Sequence, residues 1–222
     1  VKYGCGKIEF KILAAMEESI TLLPKQAWVT LVTKASYLPG AILLSYSPQK
    51  YNSNYYLIIL TSHLPSAIIA ILKEECDISN ADHFPINSLT PPPENTPSFA
   101  SRFEDTWTKL HIFELYKYGC EKLVFLDADM LVRFNIDELF SFDLPNNRIA
   151  ANHVCCCNLD HNPWARSDWN ENNCPYTGLL PDNQPAAVPD RSQVMNGAKI
   201  THTLLNSGIF ILSPSNSNGM TS

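Results

Sequence analysis

The 222-residue chain lacks several features that would assign it quickly. No apolar stretch approaches the roughly 20 residues that a membrane-spanning helix needs. The first 25 residues make a poor secretory signal, because Lys7, Glu9, Lys11, Glu17 and Glu18 break their short apolar segment. There is no run of Lys or Arg, and 16 basic against 22 acidic residues give a formal net charge of -6. That balance argues against nucleic acid or an anionic membrane as the main partner. No Asn-x-Ser/Thr glycosylation acceptor occurs. Cysteine is not arranged as a disulfide framework: there are seven, and Cys155, Cys156 and Cys157 are consecutive, so neighbours on an extended chain point to opposite sides. Both absences favour a reducing, cytoplasmic setting. His153, Cys155, Cys157, His161 and Cys174 are residue types that hold zinc, but the paired C-x2-C spacing of structural zinc sites is missing.

What is present is organised around Lys122-Leu123-Val124-Phe125-Leu126-Asp127-Ala128-Asp129-Met130. The apolar run suits a strand buried on both faces of a parallel sheet. Asp127 and Asp129 then fall at its carboxyl end, where open α/β sheets bind ligands. If the strand stays extended through Asp129, both carboxylates point to one side. Paired hard oxygens suit Mg²⁺ or Mn²⁺, and the ion in turn suits a diphosphate. Spacing alone proves little, since 11 Asp in 222 residues give about half a D-x-D by chance.

The rest of the chain supplies context. Residues 27–33 read as a first strand, and residues 34–47 as a helix with Ser36 as N-cap, Pro39 in its first turns and Pro48 ending it. A second strand at 55–60 and a helix opening at Ser62 or Ser66 follow. This alternation predicts a parallel sheet wrapped by helices, with the loop around Thr33 to Tyr37 at the same sheet edge as the aspartates. Residues 79–98, ending in a proline-rich run, read as a surface loop. A helix over 106–118 carries the apolar stripe Trp107, Leu110, Ile112, Phe113 and Leu115, with Lys109 among them and Gly119 as its stop. Asn135-Ile136-Asp137-Glu138 resembles a capping box, which makes Asp137 a helix-start residue. Residues 148–157 form another strand, 158–203 a long aromatic-bearing excursion, and 204–212 a returning strand that opens with Asn206-Ser207-Gly208.

Four blocks then carry a resemblance: Trp28 to Thr33 with Tyr37 and Gly40, Thr106 to Leu110, Phe125 to Met130, and Leu205 to Gly208. In this order they resemble glycosyltransferase family 8. The resemblance implies a GT-A fold, a Rossmann-like αβα sandwich with a mostly parallel sheet, over residues 27–222, preceded by an extension at 1–26. It implies retaining transfer of a hexose from UDP-glucose or UDP-galactose to a carbohydrate, polyol or protein-tyrosine acceptor, with Mn²⁺ or Mg²⁺. Asp127 and Asp129 would then hold the metal on the diphosphate, and Ala128 would lie against the ribose. Leu31, Thr33 and Tyr37 would hold the uridine. Lys109 and Arg102 would contact the donor, and Asn206 with Ser207 the donor sugar. Lys34 stands where the family carries a smaller polar residue.

An Asp-Gln block and a His-x-x-Gly-x-x-Lys-Pro-Trp-like stretch, which complete the family's sugar and metal sites, do not occur. The chain therefore reads as a C-terminally truncated piece with Met16 as a native start, and the piece alone is expected to transfer little or no sugar. Two alternatives stand beside this reading. A haloacid-dehalogenase-type phosphatase would use Asp127 as nucleophile and Asp129 as acid/base, though Leu131 and the lack of a later acidic pair depart from it. A nucleotide-sugar-binding protein would keep the fold without turnover.

Overall fold

The computed structural model describes residues 22–90, 101–145, 148–163, 165–176, 201 and 204–215, the side chains of 101–104 excepted. Most of the extension with Met16, the proline-rich run at 91–97, Trp164 and residues 177–200 lie outside the described residues.

Six strands form one sheet in the order β3-β2-β1-β4-β6-β5. They are β1 (Gln26–Val32), β2 (Tyr56–Thr61), β3 (Ala81–Pro85), β4 (Lys122–Leu126), β5 (Ile149–His153) and β6 (Leu205–Leu212). The pairs β3-β2, β2-β1 and β1-β4 are parallel, whereas β6 runs antiparallel between β4 and β5. The apolar runs of β1, β2 and β4 are explained by burial on both faces. Trp28, Val32, Leu57, Ile59, Val124 and Leu126 pack into one core with Leu38, Ala41 and Leu44 of helix α1 (Leu38–Lys50) and Leu72 and Cys76 of helix α2 (Ser66–Ile78). Val29, Leu31, Ile58, Leu60 and Phe125 point the other way, onto Ile112 and Leu115 of the segment Ser101–Tyr118. The period-2 alternation of each strand thus feeds two cores, one per face. This is the αβα sandwich expected.

Several local expectations change. Helix α1 begins at Leu38, after a short 3₁₀ turn at Ala35–Tyr37, and no side chain caps it. Pro48 lies inside its last turn. The Leu44 carbonyl, which Pro48 has no N–H to satisfy, accepts the Ser47 hydroxyl at 3.2 Å instead. The loop predicted over 79–98 contains β3, an edge strand whose ladder comes from β2. Its Pro85 sits at the strand's end, where a missing donor is tolerated.

Residues 101–118 wind as a 3₁₀ helix, three residues per turn. Lys109, Ile112, Leu115 and Tyr118 therefore form one row. Ile112 and Leu115 are buried, while Leu110 and Phe113, expected in the same stripe, are 46% and 38% exposed. Gly119 ends the segment as predicted, in the left-handed region at φ 95°. Strand β5 stops at His153, four residues short of the expected end, after a bulge between Ala151 and His153.

Asp137 opens the 3₁₀ turn Asp137–Ser141, but no capping box forms: Ile136 takes the N-cap position without a side-chain cap, and the Asp137 carboxylate makes tertiary bonds instead. Its carboxylate accepts the Ser53 hydroxyl at 2.6 Å and the Asn54 backbone N–H at 2.8 Å. Ser53 in turn accepts the indole N–H of buried Trp28 at 2.9 Å, so the acid anchors a turn to the core. Asp137→Ala is expected to lose about 1–3 kcal/mol in urea unfolding. A variant as stable as the parent would show that solvent replaces these bonds at no cost.

Candidate functional site

Strand β1 pairs with β2 on one side and β4 on the other, so the chain's crossovers leave β1 in opposite directions. Such a switch point opens a crevice outside the carboxyl ends of the strands. A cleft of about 470 Å³ lies there. One wall comes from Leu31, Thr33, Lys34 and Tyr37, at and after the end of β1. A second comes from Asp105, Thr106 and Lys109 of the long 3₁₀ helix, and the third from Asp127, Ala128 and Asp129 after β4. Asn206 and Ser207 line an adjoining groove of about 210 Å³ that shares Thr106 and Lys109 with the cleft. Among the residues proposed from sequence, the side chain of Arg102 lies outside the described residues.

The two aspartates reach the cleft by a different route from the one expected. Strand β4 ends at Leu126. The Asp127 N–H still donates to the Gly208 carbonyl of β6 at 2.8 Å, but the Asp127 carbonyl then accepts the Met130 N–H at 3.0 Å. The chain turns at Asp127 and does not extend through Asp129. Both carboxylates face one cleft because a tight turn follows the strand, and not because alternate strand residues share a face.

Two glycines permit this turn to sit where it does. A Cβ at Gly40 would fall well inside the van der Waals radius of the Ala128 carbonyl oxygen. At Gly208 a Cβ would lie 3.0 Å from Asn206 Oδ1 and 3.3 Å from Asp127 Oδ2. A side chain at that position would crowd the Asp127 oxygen. The Asn206 side chain is itself folded back, accepting the Gly208 N–H at 2.7 Å.

Lys109 is the cation of the site. Its ammonium donates to Asp127 Oδ1 at 2.6 Å and to the Ser207 carbonyl at 3.2 Å, and lies 4.8 Å from the centre of the Phe125 ring. Its side chain is 15% exposed, against 35% for Asp127. Lys109 is thus held in an ion pair at the cleft. Burial pushes the Asp127 carboxyl above its ordinary range, the Lys109 contact opposes that shift, and the Asp129 charge adds to it. Asp129 is exposed. The donor set suits a hard divalent cation, for two carboxylates line one cleft.

Asp105 escaped the sequence reading. It pairs with Lys34 at 2.6 Å, bridging the walls that arise from β1 and from the 3₁₀ helix. Only the position of Lys34, where a smaller residue was expected, hinted at a missing partner.

The sequence description "Glycosyl transferase family 8" matches residues 28–177. This chain belongs to glycosyltransferase family 8. Among curated family relatives, galactinol synthase 10 of Arabidopsis thaliana is 31% identical over 67% of this chain and 44% of its own length. Human glycogenin-2 is 36% identical over 52% of this chain and 22% of its own length. The chain thus spans less than half of either relative. Among solved structures, the bifunctional glycosyltransferase WbbM aligns with a TM-score of 0.53 at 18% identity, covering 87% of this chain and 33% of the other. Galactosyltransferase LgtC, solved with donor and acceptor sugar analogues, aligns with a TM-score of 0.50 at 16% identity, covering 84% and 57%. These neighbours share the GT-A fold of this family 8 chain. Neither the family match nor the relatives support the phosphatase alternative.

Gly40→Ala must displace backbone, not a flexible side-chain tip. It is expected to destabilise the chain by about 1–3 kcal/mol in urea unfolding, the usual cost of overpacking. An unchanged midpoint would mean that the 127–130 turn moves freely away from α1.

Proposed function

We propose that the chain is the donor-binding part of a retaining, metal-dependent glycosyltransferase that moves a hexose from a UDP-sugar to an acceptor hydroxyl. One observation carries the reading: Leu31, Thr33, Tyr37, Lys109, Asp127, Ala128 and Asp129, assigned separately by family resemblance, line one cleft at the switch point. Family membership and the GT-A fold support it at the coarser level. Among the described residues, no helix is long and apolar enough to cross a membrane.

In this reading the floor formed by Leu31 and the 44%-exposed ring of Tyr37 receive the uracil, with Thr33 toward its polar edge. Ala128, buried against α1, leaves room for the ribose beside the turn. Asp127 and Asp129 hold Mn²⁺ or Mg²⁺ against the diphosphate, and Arg102 is a further donor contact. When bound, the ion supplies Lewis-acid stabilisation of the negative charge that a UDP leaving group develops. Lys109 keeps Asp127 oriented and presents fixed positive charge to the same region. Asn206 and Ser207 orient the donor sugar in the adjoining groove, where Leu110 and Phe113 offer apolar walls.

Retention is what the family resemblance implies, and the groove bears only on the route: front-face substitution is preferred to double displacement. Its described lining contains no carboxylate, so no nucleophile stands ready to form a covalent glycosyl-enzyme. The acceptor oxygen then bonds to the anomeric carbon on the face that UDP leaves. The electron pair of the breaking bond departs with the phosphate oxygen, which also receives the acceptor proton. Donor sugar and acceptor are left to a panel: UDP-glucose or UDP-galactose, with a carbohydrate, a polyol or a protein tyrosine.

The full-length protein with Mn²⁺ is expected to release UDP in the presence of its donor and acceptor. Asp127→Asn and Asp129→Asn should abolish metal-dependent UDP binding; binding unchanged in both would sink the site assignment. Lys109→Met is expected to slow transfer by about 10²–10³-fold, the usual cost of removing a group aimed at developing charge. Donor binding by the full-length protein with neither hydrolysis nor transfer would favour a non-catalytic sugar-nucleotide binder.

A further inference from the structure

A second concentration of reactive side chains lies beyond the end of β5. The sulfurs of Cys155, Cys157 and Cys174 all fall within 4.8 Å of one another. Cys155 is exposed, Cys157 half-buried and Cys174 buried. The Cys155–Cys174 separation is 3.8 Å. That is the spacing of thiolates around a tetrahedral ion, since Zn–S bonds of about 2.3 Å put neighbouring sulfurs about 3.8 Å apart. A disulfide would need the sulfurs at about 2.05 Å, and would leave the third thiol over.

The local structure accounts for the convergence. Cys155 and Cys157 are two residues apart, and Cys156 between them stays outside the group of three, its thiol donating to the Asn173 carbonyl at 3.4 Å. That carbonyl also accepts the Thr201 hydroxyl at 2.6 Å. Cys174 follows the short turn Glu171–Asn173, its N–H bonded to the Glu171 carbonyl at 3.2 Å. Two segments with almost no regular structure are thus held so that three sulfurs meet. His153 and His161, the other zinc-binding residue types nearby, do not join the cluster. A water molecule would complete the coordination on the exposed Cys155 side.

We propose that Cys155, Cys157 and Cys174 bind one zinc ion as thiolates, and that this ion fixes the loop beside Asn206 and Ser207. Soft sulfur donors select zinc over the hard ions suited to Asp127 and Asp129, so the two sites take different metals. The cluster is coupled to β6 by short links. His153 pairs with Leu205, and the Val154 N–H donates to the Leu204 carbonyl at 3.0 Å. Pinning residues 155–174 therefore holds the start of β6. Cys155, Cys157 and Cys174 are positioning residues here, acting through the loop and touching neither donor nor acceptor.

The test is metal content of the full chain purified under reducing conditions without chelator. One zinc per chain is expected by atomic emission, retained in Cys76→Ser and lost in Cys157→Ser and Cys174→Ser. Should the serine variants fail to fold, the zinc-stripped parent is titrated with cobalt. Intense near-ultraviolet thiolate-to-cobalt charge transfer is expected, displaced by zinc, with a rise in melting temperature and protection of residues 154–176 from protease. The proposal is overturned by a zinc-free chain that gives no such cobalt spectrum, by zinc that persists in both serine variants, or by a Cys155–Cys174 disulfide in the reduced preparation.

Discussion

The ammonium of Lys109 stands where three stretches of chain meet: the row of the 3₁₀ helix that carries it, the turn after β4 and the start of β6. A half-buried carboxylate at the end of a buried strand is costly unless a cation neutralises it. The pairing with Asp127 supplies that cation, and the bond to the Ser207 carbonyl ties the same nitrogen to β6. The 3₁₀ winding matters to this arrangement. It stacks Lys109 above Ile112 and Leu115, so burial of those two on the sheet aims the lysine at the strand ends.

Close backbone approach is the second requirement. Gly40 lets α1 lie against the Ala128 carbonyl, and Gly208 lets β6 pass the Asp127 carboxylate. A side chain at either place would push the two aspartates away from the walls made by β1 and the 3₁₀ helix. Packing density and the site are thus the same constraint seen from two sides.

The sequence carried the sheet and the aspartates well because both are written in uninterrupted apolar runs. Trp28 to Val32 and Leu123 to Leu126 are legible as doubly buried strands without reference to anything distant. Strand β3 was not legible: Ala81-Asp82-His83-Phe84-Pro85 has little strand propensity, and its pairing is supplied by β2. The turn at Asp127 was also hidden, since an i, i+2 pair reads equally well as strand until Gly208 is known to cap the ladder. A three-residue rather than 3.6-residue repeat decided which of Leu110, Ile112, Phe113 and Leu115 are covered, and the apolar pattern over those six residues does not separate the two. Asp105 was invisible for another reason: its partner Lys34 lies far away in sequence, and nothing local marks the pair.

The make-up of the cleft wall has a consequence for what can enter it. Among the described residues, Lys34 and Lys109 face Asp105, Asp127 and Asp129, two positive charges against three negative. A multiply charged phosphate ester approaching alone would meet a surface of its own sign. On the proposed reading, such a wall discriminates by counter-charge before it discriminates by shape: it favours the anion already partnered by a cation over the bare anion.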